Sequence, residues 1–288
     1  MEAITISRSK LILTTVQDEV TKARMSNASL ANLIRTKEYN GFISKATTKR
    51  VKSMIEGFIT SIETVQKKHK KVAIREKIQP TFATLTLPYK QFHKDNIIKR
   101  KCLTPFIEEL KKFHNVKLYV WRAEPQDNGN IHFHILLDRF VHWKDIRTRW
   151  NRIINKLDYV DAFEQKWGHN SPNSTDIHGL EKVGSISSYI CKYMTKNKVR
   201  RKIEGRVWGA SKEFHNFKNL RIPFTYDLLQ DIEMLVESGT IFPKLYDYCR
   251  IFSIKMNKLT DLIGSKIAAI YEHYINSIFT NKLLYYET

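Results

Sequence analysis

The sequence predicts an α+β protein: a central antiparallel sheet with packed helices, carrying N- and C-terminal helical additions. Three observations predict it. The middle of the chain reads strand, helix, hairpin, helix, strand, helix, strand, an order that suits antiparallel pairing with helices laid on the sheet. The stretch from Asn128 to Asp138 alternates strictly, with His132, His134 and Leu136 on one strand face and Ile131, Phe133, Ile135 and Leu137 on the other. On either side the apolar residues recur at helical spacing: Met54, Ile55, Phe58, Ile59, Ile62 and Val65 before it, and Leu259, Ile263, Ile267, Ile270, Tyr271, Tyr274 and Ile275 after it. The expected organisation is a basic helical region over 1–75, a functional domain over 76–215 and a helical region over 216–288.

The totals narrow the function. With 49 basic against 29 acidic residues the chain carries a formal charge of +20, which points to a polyanionic partner, nucleic acid first. Hydrophobic residues make up 42%, enough for a sizeable core and too many for a disordered chain. Cys102, Cys191 and Cys249 show no paired spacing, against a disulfide framework or a cysteine zinc site and in keeping with a reducing compartment. No apolar run is long enough to span a membrane, and the N-terminus lacks a signal-type core, so the expected location is cytoplasmic. No Gly-x-x-x-x-Gly-Lys-Ser/Thr segment occurs, so a P-loop motor is not indicated.

In chain order, Met1 to about Lys71 reads as mostly helical, ending in the charge run Lys67-Lys68-His69-Lys70-Lys71. Thr81 to Pro88 reads as a strand stopped by proline, with Thr84 and Thr86 on one face. Lys94 to Asn115 is helical, with a break or restart at Thr104-Pro105, where Thr104 would cap and Pro105 occupy the first turn. Val116 to Glu124 and the histidine strand form a hairpin. Lys144 to Leu157 is an amphipathic helix with Ile146, Trp150, Ile153, Ile154 and Leu157 inward, and Tyr159 to Trp167 a short helix. Asp176 to Val183 is expected as a strand, Ser185 to Lys196 as a helix, Lys202 to Trp208 as a strand, and the chain from Phe224 onward as helical.

Paired histidines on a strand are often just half-buried polar residues; here the surroundings favour a site for one divalent cation. A three-residue loop Asp127-Asn128-Gly129, with Gly129 left-handed, pairs Gln126 with Asn130. Glu124 then falls opposite His132 as a third ligand, and Arg122 opposite His134, within reach of a DNA phosphate. A two-residue loop Asn128-Gly129 shifts the register and turns Glu124 toward Phe133 instead. The ligand set thus hangs on one residue of loop length.

The segment Ser185 to Lys196 carries the other informative spacing. Tyr189 and Tyr193, four apart, share a helix face, with Lys192 beside them. Two such tyrosines are ordinarily packing residues; next to the histidine strand and the basic charge they suit phosphodiester chemistry, a phenolate attacking phosphorus while a cation offsets the phosphate charge. Unperturbed phenol ionises near pH 10, so it needs activation.

Taken together, His132-Phe133-His134 resembles the histidine-hydrophobic-histidine motif of the HUH endonucleases, which start rolling-circle replication. Phe82-Ala83-Thr84-Leu85-Thr86-Leu87-Pro88 resembles the strand ahead of it in that superfamily, and Tyr189-Ile190-Cys191-Lys192-Tyr193 its tyrosine motif, in the two-tyrosine form of microvirus-type and some plasmid initiators. The similarity covers about residues 81–211. It implies a ferredoxin-like palm and a replication initiator of a phage or plasmid. A tyrosine attacks the scissile phosphate of single-stranded origin DNA, keeps the 5′ end as a phosphotyrosine and frees a 3′ hydroxyl for a host polymerase. The second tyrosine serves rejoining. It also implies Mg²⁺ or Mn²⁺ on His132, His134 and an acidic or amide ligand, for which Glu124 is the choice and His178 a remoter candidate. Lys192 serves catalysis, Arg122 and Lys196 bind DNA, and a separate host helicase opens the duplex.

Rivals within the superfamily are a transposase, usually with one tyrosine, and a relaxase, whose tyrosines commonly precede the histidines. A metal-dependent hydrolase using water would leave no protein-linked DNA. A non-catalytic nucleic-acid-binding module would bind by stacking and charge, with no adduct and no need of metal.

Overall fold

The computed structural model describes residues 2–6, 10–16, 43–178, 180, 186–195, 201–214, 220–223, 226–239, 242–246 and 249–255. In chain order these hold β1 (Glu2–Ile6), β2 (Lys10–Val16), α1 (Lys45–Lys68), α2 (Lys70–Arg75), β3 (Ile78–Leu85), α3 (Asp95–Ile98), α4 (Thr104–His114), β4 (Tyr119–Pro125) and β5 (Ile131–Arg139). Then follow α5 (Trp143–Ile154), α6 (Tyr159–Trp167), β6 (Thr175–His178), α7 (Ile186–Met194), β7 (Trp208–Ala210), β8 (Leu220–Pro223), α8 (Tyr226–Glu237), β9 (Lys244–Tyr246) and β10 (Cys249–Lys255). They fall into two units, one within residues 40–216 and the other within 1–39 and 217–278.

The larger unit is a five-stranded antiparallel sheet in the order β6-β3-β5-β4-β7, with helices packed on it. Its centre is β5, all nine of whose residues are buried. Ile131, Phe133, Ile135 and Leu137 point into a core with Ile98, Phe106, Leu110, Trp150, Ile153 and Ile154. Each large side chain in such a core contributes roughly 1.5–3 kcal/mol of burial free energy. Alternation therefore sends His132 and His134 to the opposite face, fixed by the apolar face they leave behind.

The helices follow their sequence patterns. In α1, Val51, Met54, Ile55, Phe58, Ile59, Ile62 and Val65 are all buried, and the helix packs against β3 and α7. Ser44 caps it, its Oγ accepting from Thr47 N–H at 3.1 Å. In α5, Ile146, Trp150, Ile153 and Ile154 are buried, and the Trp150 indole N–H donates to the Thr86 carbonyl at 2.7 Å, tying α5 to the end of β3.

Three expectations of this unit are corrected. The chain does not break at Thr104-Pro105: one π-helical turn, Lys99–Leu103, joins α3 to α4. Thr104 is not a cap. Its N–H and its hydroxyl both donate to the Lys99 carbonyl, which lets the helix absorb the N–H that Pro105 lacks. Residues 202–207 are not a strand; only Trp208–Ala210 pairs, with β4. Just before it, the Lys99 ammonium takes the Glu204 and Arg206 carbonyls, and Asp95 takes Arg201 and the Glu204 N–H, so these groups are satisfied without a ladder.

The smaller unit contains a second antiparallel sheet, β8-β1-β2-β10-β9, and α8. Here the helical expectation is corrected: residues 2–6, 10–16, 244–246 and 249–255 are strands. Runs such as Leu11-Ile12-Leu13-Thr14-Thr15-Val16 are rich in β-branched residues and too short to declare a helical period. The apolar stripe from Leu259 to Ile275 lies outside the described residues.

Candidate metal centre and tyrosine pair

The hairpin loop decides the ligand set. Gln126 N–H donates to the Asn130 carbonyl at 2.8 Å, and Gly129 N–H to the Gln126 carbonyl at 3.0 Å. Gly129 has φ +87°, a conformation that strains any residue with a side chain. The loop therefore has three residues, and Glu124 stands opposite His132 and Arg122 opposite His134. Of the two registers the sequence leaves open, this is the one that brings Glu124 to the histidine face.

Glu124, His132 and His134 are all buried. Glu124 Oε1 lies 2.9 Å from His134 Nε2 and 3.3 Å from His132 Nε2, and the two Nε2 atoms are 3.1 Å apart. Three ligands about 2.1 Å from an octahedral ion, at right angles, would be separated by about 3.0 Å, so the triangle suits one face of such a shell. The electrostatics agree. Burial opposes ionisation of Glu124, but hydrogen bonds from both histidines outweigh it and bring its carboxyl down to about 2. Burial lowers His134, only partly offset by Glu124, which keeps its imidazole neutral and able to bind a cation. Glu124 Oε2 and His132 Nδ1 are buried without a hydrogen-bond partner among the described residues, an unusual state for groups with no ligand to serve. The group can bind a metal ion.

The tyrosine helix faces this triangle across one ring. Phe82 on β3 is fully buried, with its centroid 5.8 Å from His134, 4.8 Å from His178, 6.4 Å from Tyr189 and 5.8 Å from Tyr193. The Tyr193 ring stands edge-on to His134 at 5.5 Å. Tyr189 and Tyr193 have ring centroids 5.1 Å apart. Their mutual hydrogen bond, with burial, pushes the Tyr189 phenol up to about 12. Cys191, between them in sequence, is buried, and burial pushes its thiol up to about 12, so it is no competing nucleophile.

Sequence reasoning missed one connection. Thr84 Oγ1 is hydrogen-bonded to His134 Nδ1 at 3.0 Å and to His178 Nε2 at 2.9 Å, and His178 Nδ1 lies 3.2 Å from the Tyr189 hydroxyl. The signal available was the position of Thr84 on one strand face; its pairing opposite both His134 and Asp176 comes from the sheet order. His178 is thus placed between the triangle and the tyrosines, not in the ligand triangle.

Of the remaining expected residues, Lys192 is exposed on α7. Arg122 is corrected: it is 2% exposed and donates to the Ala123 and Val207 carbonyls at 2.6 and 2.9 Å rather than reaching out to a phosphate. The chain returns beside it at β7, and a buried guanidinium is held by the carbonyls that return supplies. Lys196 lies outside the described residues. Beside His178 a cavity of about 370 Å³ opens, lined among others by Phe140, Trp143, Arg147, Asn173 and Asp176. Trp143 is 43% exposed, with the Arg147 guanidinium 4.8 Å from its ring centre.

Fold and site together define an α+β protein with a buried two-histidine, one-carboxylate cation group set against a tyrosine pair. Residues 80–198 match a family model of replication-associated proteins, the ORF2 type, which supports a replication-initiator family. That match spans β3 to α7 and so contains every residue of the triangle and both tyrosines. Neither the curated proteins nor the solved structures yield a significant match. No described helix is long and apolar enough to cross a membrane.

Proposed function

We propose that the protein is a replication initiator of the HUH type, which nicks and rejoins single-stranded origin DNA of a phage or plasmid through a 5′-phosphotyrosine. The observation that carries this reading is the meeting of Glu124, His132 and His134 with Tyr189 and Tyr193 across Phe82. Mg²⁺ or Mn²⁺ held by the triangle would polarise the non-bridging oxygens of the scissile phosphate. Either tyrosine hydroxyl can supply the nucleophile, and Lys192 a counter-charge to the phosphate. Two tyrosines on one helix face permit one to hold the 5′ end while the other attacks again. Lys196 extends the same basic surface toward DNA.

The net charge of +20 supplies non-specific affinity for the phosphate backbone. Trp143 and Phe140 beside the cavity offer a stacking platform for an unpaired base. With no P-loop in the sequence, a host helicase would open the duplex and a host polymerase extend the 3′ end, in the bacterial cytoplasm. The test is a denaturing gel of protein mixed with labelled single-stranded DNA from its replicon, with Mn²⁺ or with EDTA. A metal-dependent protein–DNA band, lost in the double variant Tyr189→Phe, Tyr193→Phe, is expected. Cleavage without a band would make water the nucleophile, and binding with neither cleavage nor band would leave a binding module.

A further inference from the structure

We propose that His178 is a catalytic residue acting on Tyr189, and that Thr84 couples it to the metal-ligand His134, so that cation binding reverses the hydrogen-bond chain ending at the Tyr189 hydroxyl. The inference rests on the nuclease reading above and deepens it by naming the tyrosine that attacks first.

The chain runs Glu124 Oε1 to His134 Nε2 at 2.9 Å, His134 Nδ1 to Thr84 Oγ1 at 3.0 Å, Thr84 Oγ1 to His178 Nε2 at 2.9 Å, and His178 Nδ1 to Tyr189 Oη at 3.2 Å. Every link has hydrogen-bond length, and each neutral member carries one proton. Glu124 is a carboxylate and only accepts, so in this geometry His134 donates from Nε2 and its Nδ1 accepts from the Thr84 hydroxyl. Thr84 Oγ1 then accepts from His178 Nε2–H, and His178 Nδ1 accepts from the Tyr189 phenol. The phenol proton is tied to His178.

A cation on His134 Nε2 leaves that ring its proton on Nδ1, because a ligating imidazole gives up one nitrogen and donates from the other. His134 then donates to Thr84 Oγ1, the Thr84 hydroxyl to His178 Nε2, and His178 from Nδ1 to Tyr189 Oη. The number of protons on the chain is unchanged; each has moved one place. His178 now stabilises a phenolate where before it held a phenol. When Tyr189 Oη bonds to phosphorus, the P–O3′ bond breaks, and the proton lost by the phenol is balanced by the one gained on the released 3′ oxygen.

His178 is suited to this because it stays neutral: burial lowers it, with Asp176 only partly opposing. Asp176 Oδ2 is 3.8 Å from Nε2 and largely exposed, beyond hydrogen-bond reach of that proton. Tyr193 has its ring against both histidines, but the hydroxyl contact to His178 belongs to Tyr189. Thr84 is a positioning residue. It touches no reacting atom and acts through its single proton.

The direct test reads the tautomer. Protein labelled with ¹⁵N-histidine is recorded by long-range ¹H–¹⁵N correlation in EDTA and with Zn²⁺, a diamagnetic ion suited to imidazole ligands; His178 is assigned by its loss in His178→Asn. The result expected is Nε2–H for His178 in EDTA and Nδ1–H with Zn²⁺. Thr84→Val, which keeps the shape and deletes the hydroxyl, should abolish that change at His178 while His134 still reports the bound ion. In the gel assay with Mn²⁺ the same variant should slow adduct formation by on the order of 10²-fold. Thr84→Ser should restore both. A His178 tautomer indifferent to Zn²⁺, or one that still changes in Thr84→Val, overturns the proposal. A wild-type protein whose His178 changes tautomer yet forms no adduct instead overturns the nuclease reading, and with it the catalytic role of His178, while leaving the hydrogen-bond chain in place.

Discussion

Replacing Glu124 with glutamine keeps the volume of the side chain and removes the charge that makes the triangle a cation site. Glu124 Oε1 sits 2.9 and 3.3 Å from the two Nε2 atoms and is buried, so no water-borne carboxylate can substitute for it. Loss of a group that merely supports a metal ligand costs roughly 10–100-fold in affinity, so loss of a ligand should cost about 100-fold or more. A cation at 100 times its dissociation constant stabilises the native state by about 2.7 kcal/mol. For a unit of this size, 1 kcal/mol corresponds to about 2–4 °C, so Mn²⁺ should raise the wild-type melting temperature by about 5–11 °C over EDTA. At the same Mn²⁺ concentration Glu124→Gln should gain only about 0.4 kcal/mol, some 1–2 °C. The assay is differential scanning fluorimetry, each variant referred to its own melting point in EDTA so that any structural cost cancels. A Glu124→Gln protein showing the full Mn²⁺ shift would refute the ligand assignment, and a wild type showing none would refute the site.

Two more predictions follow from neighbouring features. Asp95 is held below its ordinary value because Arg201, Gln91 and the Glu204 N–H outweigh the opposing effect of burial, so its contribution to stability is full above the unfolded pKa near 4 and is lost as pH falls through the folded value. Asp95→Asn should cost about 2–3 kcal/mol at pH 7, less than a fully buried pair because Arg201 is 31% exposed, and the gap to wild type in urea unfolding should narrow as pH falls below about 4; a gap constant with pH would rule out the charge as its source. Trp143→Ala should weaken binding of single-stranded DNA by roughly 5- to 150-fold, the worth of one stacked base, with the Mn²⁺ melting shift intact; unchanged binding in fluorescence anisotropy would remove the cavity from the DNA path.

What was legible in the sequence was local. The buried face of α1, the inward set of α5 and the span of α6 follow from spacing within a single element. The hairpin was legible down to two registers, and the choice between them lies in the Gln126–Asn130 hydrogen bond around Gly129. What escaped depends on residues distant in the chain. Arg122 is held by Val207, 85 positions away, and Thr84 meets His178 across 94. The π-turn before Thr104 is a response to the missing N–H of Pro105, which sequence signals equally with a break. The strands of the smaller sheet are short apolar runs whose partners lie at the other end of the chain, as β2 pairs with β10.

The central claim is that a tyrosine of α7 attacks DNA with the help of the histidine face of β5. Trypsin cuts after Lys192 and so separates residues 183–192, which hold Tyr189, from residues 193–196, which hold Tyr193. Mass spectrometry of the Mn²⁺-dependent adduct, digested with nuclease and trypsin, therefore names the nucleophile in one measurement. The account predicts a nucleotide on the Tyr189 peptide at first cleavage, absent when EDTA replaces Mn²⁺. Cleaved DNA with no modified peptide would contradict it outright, and a nucleotide carried only on the Tyr193 peptide would contradict the role given to His178.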